Sequence, residues 1–96
     1  GFDVPVFGSF NEPHDPTVAA ISRQSLKTGI ARITEGQDVD AVFISCTSVR
    51  IAADVAEMET ELGIPVTSSN HALAWHCLRL VGINDKQPEL GRLFSL

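Results

Sequence analysis

No apolar stretch in these 96 residues approaches the ~18 that a membrane span needs, and none has the make-up of a signal peptide. Basic residues are scarce: seven against twelve acids, for a net charge of −5. Arg23, Lys27, Arg32, Arg50, Arg79, Lys86 and Arg92 are scattered and form no stripe, which argues against nucleic acid as the partner. No glycine-rich phosphate loop is present, and no His and Cys pair stands at zinc-ligand spacing. Cysteine is confined to Cys46, expected at a strand end, and Cys77, expected within a helix. Two reduced thiols in a cytoplasmic protein are the simpler account than a bridge.

What is present is an ordinary globular composition, 44% hydrophobic, in a chain long enough for one small domain. Such a domain buries roughly 60–65% of its unfolded surface. The chain opens on Gly1-Phe2-Asp3-Val4 without an initiator methionine, and is read as a piece of a longer polypeptide.

The most informative stretch runs from Asp40 to Arg50. Val42 to Ile44 is apolar, β-branched and aromatic, and too short for a helix, so it reads as a buried strand. Four small polar residues, Ser45-Cys46-Thr47-Ser48, end it, and Ile51, Val55, Met58 and Leu62 then recur at helical spacing. Open α/β sheets bind ligands at such carboxyl ends of parallel strands. On this reading Cys46 sits where a strand gives way to a helix, where free N–H groups and the helix dipole favour a thiolate. A lone cysteine is also a common buried hydrophobe. Thr47 and Ser48 carry the same double reading, as helix caps or as donors to a substrate carboxylate.

The remaining elements follow in order. Phe2 to Phe7 alternates as a strand, with Pro5 favouring an edge. Asp15-Pro16 starts a helix, Asp15 as N-cap, that is expected to run to about Thr34. Ile64 to Thr67 is a further strand ending in Ser68-Ser69-Asn70, and a helix from His71 to Val81 is expected to be capped by Asn70. Gly63 and Gly82 mark helix ends. Trp75 and Arg79, four apart, suit a cation–π pair. His71 is expected to be partly exposed, His76 and Cys77 to be packing residues, and Leu90, Leu93 and Phe94 to need a surface to cover. Glu12, His14 and Asp15 fall on the ligand side without an evident role. The pattern is β-α-β-α-β-α plus a tail, hence a three-stranded parallel sheet with right-handed crossovers. In it the Cys46-Thr47-Ser48 and Ser68-Ser69-Asn70 turns share one edge, each before a helix, and together suit a small carboxylate.

The runs VFISCTSVR and ELGIPVTSSNHALAWHCLRLVGI resemble the C-terminal half of the Asp/Glu racemase superfamily, most of all its maleate isomerase and arylmalonate decarboxylase relatives. The opening FGSFNE and the ending GRLF look most like the ectoine-utilisation branch. The resemblance implies a three-layer α/β sandwich lobe with a short parallel sheet, residues 1–96 being the C-terminal lobe without its first strand-helix unit and without an N-terminal lobe. It implies an enzyme without metal or organic cofactor, in which Cys46 is one of two thiols flanking the substrate and Cys77 is not catalytic. Thr47, Ser48, Ser69 and Asn70 are then expected to hold the carboxylate of an amino or dicarboxylic acid in an isomerase or racemase. A decarboxylase and a non-catalytic self-associating fragment are the alternatives. A homo-oligomer, or association with the absent lobe, is the expected assembly.

Overall fold

A computed structural model describes all residues, 1–96. The chain runs α1 (Asp15–Ala19), α2 (Arg23–Thr34), β1 (Val42–Ile44), α3 (Val55–Leu62), β2 (Val66–Ser68) and α4 (Ser69–Leu80). Two short 3-10 turns, Pro88–Leu90 and Leu93–Ser95, complete the tail. β1 and β2 pair in parallel, with Val42, Phe43 and Ile44 opposite Val66, Thr67 and Ser68. This is the expected α/β class, with a sheet of two strands rather than three.

The missing strand is Phe2–Phe7, which is irregular, with Phe2, Val4 and Phe7 exposed. Alternation alone does not make a strand; a neighbour must accept the ladder, and Pro5 removes one donor. The single helix expected from Asp15 to Thr34 is two. Ser22 breaks it, its hydroxyl accepting the Ser25 N–H as N-cap of α2. His14, not Asp15, occupies the N-cap of α1, so the Asp15 carboxylate is not a cap.

Pleat alternation sends Val42, Ile44 and Val66 to a core built with Val18, Leu26, Ile30, Val55 and Met58. Val55 and Met58 are fully buried, each worth roughly 1.5–3 kcal/mol. Gly29 sits inside α2 because the Phe10 ring covers it: a Cβ there would lie 3.3 Å from Phe10 Cζ. Arg23 reaches Asp54 and Glu57, and Lys27 reaches Glu61, from α2 to α3. Such exposed pairs add less than about 1 kcal/mol each.

Leu90, Leu93 and Phe94 find the surface they need within the chain. Phe94 is buried, its ring 4.8 Å from that of His71, and Leu90 and Leu93 are half-buried. The device that holds the tail is Glu59, buried on α3. Its Oε1 accepts the Val66 N–H at 2.9 Å and its Oε2 the Arg92 N–H at 2.7 Å. Gly91 must be glycine for this: φ is +97°, and a Cβ would fall 2.5 Å from Val55 Cγ1. Glu59→Ala leaves two amides without their acceptor, so we expect a loss of about 2–4 kcal/mol in urea unfolding. A loss below that of an exposed α3 substitution would show that the carboxylate does not hold the tail.

Candidate active site

The carboxyl ends of β1 and β2 lie side by side, because Ile44 pairs with Ser68 in the parallel register. The two polar turns that follow are therefore at one edge, as expected. They are also bonded: Asn70 Nδ2 donates to the Thr47 carbonyl at 2.7 Å across 23 positions. An open cleft of about 680 Å³ lies here, lined among others by Asp15, Thr47, Ser48, Ser68, Asn70 and His71.

Cys46 is not at a helix N-terminus. Ile51 fits the helical spacing but belongs to a turn, and α3 begins only at Val55. Between them the chain stays irregular so that Val49 and Ile51 can both enter the core. Cys46 is half-buried, with one side against that core. What faces its sulfur is the backbone N–H of Ser48, 3.4 Å away. Cys46 does not itself line the cleft; the two residues after it do.

Of the expected carboxylate-binding residues, Thr47 is exposed on the cleft wall. Ser48 lines the cleft as well, but its hydroxyl donates to Asp15 Oδ1 at 3.0 Å. Asn70 is exposed in the first turn of α4 and is tied to Thr47. Ser69 opens α4, half-buried and away from the cleft. The cap of α4 is Ser68, whose Oγ accepts the His71 N–H, so Asn70 is not the cap. Its side chain is thereby free to cross to the other turn. Of the two helices expected to start directly after these turns, only α4 does so; α3 begins at Val55, though its N-cap Asp54 and the start of α1 line the same cleft.

His71 departs furthest from expectation. It is buried, not partly exposed, and both ring nitrogens are engaged. The Leu90 carbonyl can only accept, so Nε2 carries a proton and donates to it at 2.7 Å. In the neutral ring Nδ1 then accepts the Thr67 hydroxyl at 3.0 Å. His71 thus joins α4, β2 and the tail, a role that needs a tail partner 19 positions away. His76 and Cys77, expected to be packed, are exposed on α4. Arg79 lies over the Trp75 ring at 5.5 Å, as its spacing predicts. Asp15 was placed on the ligand side by the sequence; its partner Ser48, 33 positions on, supplies the role that was missing.

The family model for arylmalonate decarboxylase matches residues 9–94. The chain belongs to the arylmalonate decarboxylase family. Arylmalonate decarboxylase of Bordetella bronchiseptica is 40% identical over 59 residues, which are 60% of this chain and 25% of that protein. A crystal structure of arylmalonate decarboxylase superposes with a TM-score of 0.76 at 31% identity, over 91% of this chain and 39% of the other. A glycine-to-cysteine variant of arylmalonate decarboxylase in a sulfate-associated form gives 0.79 at 31% identity, over 93% and 39%. The chain thus spans a quarter of the curated relative and about two fifths of the solved ones. Asp/Glu racemase kinship is consistent with these matches.

Since His71 holds three elements together, His71→Ala removes two hydrogen bonds and the contact with Phe94. We expect about 2–4 kcal/mol of lost stability by thermal or urea unfolding. An unchanged melting midpoint would mean that the ring is not a structural member of the site.

Proposed function

We propose that this chain is one lobe of a cofactor-independent enzyme that decarboxylates a small substituted malonate, with Cys46 as the proton donor. Support comes from the family match over residues 9–94, together with a thiol at the carboxyl end of β1 whose sulfur meets a backbone N–H. In the proposed step the bond from the α carbon to one carboxylate breaks and carbon dioxide leaves. The electron pair stays on the remaining fragment as an enediolate. The Cys46 thiol protonates the α carbon, and the resulting thiolate recovers its proton from water. The exposed Thr47 hydroxyl is suited to the retained carboxylate. The proposal concerns the full-length protein in which this lobe would act.

Racemisation or cis–trans isomerisation is the second reading, on the resemblance of the Cys46-Thr47-Ser48 turn to that of the racemases and maleate isomerases. It requires a second thiol on the opposite face of the substrate. Cys77 is exposed on α4 and does not line the cleft, so that second thiol would have to come from the rest of the enzyme. The ectoine-utilisation resemblance at both chain ends adds that substrate class to those worth testing.

Assembly is part of the same proposal. Leu73, Leu80 and Val81 are exposed on and after α4, and Phe43 on the open face of the sheet. Each strand also keeps one unpaired edge. We propose that these surfaces meet either the rest of the enzyme or a second copy. Light scattering of the 96-residue chain tests the second arm, for which the expected particle is a dimer; a monomer there leaves the first arm, read as complex formation on mixing with the remaining lobe, and failure of both overturns the proposal.

The chemistry is tested in deuterium oxide with the full-length protein. Decarboxylation delivers one α-deuteron into the monoacid with release of carbon dioxide, whereas a racemase exchanges the α-hydrogen without it. Cys46→Ala is expected to lower turnover by about 10²–10⁴-fold, and Cys77→Ala to leave it intact. Wild-type turnover by Cys46→Ala would end the cysteine mechanism.

A further inference from the structure

The turn that carries Cys46 is fastened from two distant places. Ser48 Oγ donates to Asp15 Oδ1 at 3.0 Å, from the start of α1. Asn70 Nδ2 donates to the Thr47 carbonyl at 2.7 Å, from the first turn of α4. Between these two anchors lies the peptide whose N–H, that of Ser48, stands 3.4 Å from Cys46 Sγ. We propose that Asp15 and Asn70 are positioning residues for the thiol: by gripping Ser48 and Thr47 they aim the Ser48 N–H at the Cys46 sulfur and so stabilise the thiolate left when Cys46 gives up its proton.

The hydrogen-bond inventory supports this division of labour. A serine hydroxyl has one proton, and Ser48 gives it to Asp15, so towards the cleft it offers lone pairs only. Lone pairs, with the Asp15 carboxylate behind them, repel a substrate carboxylate rather than hold it. Ser48 and Asn70 therefore serve the sulfur, and Thr47 is left as the side chain of the turn free for substrate. A thiolate that accepts an N–H is favoured over the thiol, because hydrogen bonding to a charged form stabilises it. The ionisable groups sharing the cleft are Asp15, Arg50, Asp54 and His71. Asp54 is paired with Arg23, and both nitrogens of His71 are engaged. Asp15 is thus the charge whose removal needs its own control.

The inference rests on Cys46 being the acting thiol of the proposed reaction, so its test uses no substrate. Iodoacetamide labelling of Cys46 is followed across pH by mass spectrometry, with exposed Cys77 as the internal reference. The midpoint of the profile reports thiolate stability, while its plateau reports access. In Asp15→Ala, Ser48→Ala and Asn70→Ala the Cys46 midpoint is expected to rise by about half a pH unit or more, with that of Cys77 unmoved. Asp15→Asn keeps an acceptor oxygen for Ser48 and removes the charge, so its midpoint does not rise. Asp15→Ala combined with Ser48→Ala shifts no further than either alone, since both remove one bond. Unmoved midpoints in the folded variants, or a change of plateau only, overturn the inference. Where Asp15→Ala fails to fold, the contrast between Ser48→Ala and Asp15→Asn decides it: equal midpoints refute the clamp. A failed clamp leaves the loss of turnover in Cys46→Ala untouched, and a failed decarboxylase reading leaves the midpoint shifts in place, so the two are separable.

Discussion

The geometry of this chain descends from one buried carboxylate. Glu59 holds the first amide of β2 with one oxygen and the Arg92 amide of the tail with the other. Fixing Arg92 fixes Leu90, whose carbonyl takes the Nε2 proton of His71. His71 stands in the first turn of α4, beside Asn70, and Asn70 grips the turn that carries Cys46. A path of hydrogen bonds and short chain segments therefore runs from the buried face of α3 to the thiol. Burying a carboxylate is costly unless each oxygen is satisfied, and here two backbone N–H groups do this without a cation.

The same economy of partners shapes the site. The turn after β1 has no helix to order it across residues 45–54, since α3 starts at Val55. Its order comes from outside, through Asp15 and Asn70, and from inside, through Val49 and Ile51 entering the core. An arrangement of this kind holds a sulfur and an N–H within contact distance while leaving the neighbouring Thr47 exposed.

How far the sequence could be read follows from where each partner lies. β1, β2, the αL stop at Gly63 and the Trp75–Arg79 pair depend on residues within a few positions, and all were legible. The adjacency of the two polar turns was legible too, because parallel strands must end at one edge. The strand at Phe2–Phe7 was not, because pairing depends on a neighbour that alternation cannot supply. The break at Ser22 hid behind an apolar stripe that both helices share. The late start of α3 hid because Ile51 fits helical spacing while serving as a core anchor in a turn. Glu59, His71 and Asp15 were misjudged or left without a role because a polar residue is buried by its partners. Those partners stand 33, 19 and 33 positions away.

On the proposed chemistry, the charge balance of the cleft is itself informative. Among the residues this chain gives the cleft, Arg50 is the one strong cation, against Asp15 and Asp54. In decarboxylation the departing carboxylate loses its charge as carbon dioxide forms. A cation held tightly against it would stabilise the ground state more than the transition state and slow the reaction. The retained carboxylate has the opposite need, since it gains the electron pair as an enediolate. A neutral donor such as the exposed Thr47 hydroxyl would strengthen there as that charge grows. A turn built of small polar residues and tied down by uncharged and anionic side chains satisfies both demands, which a cluster of arginines would not.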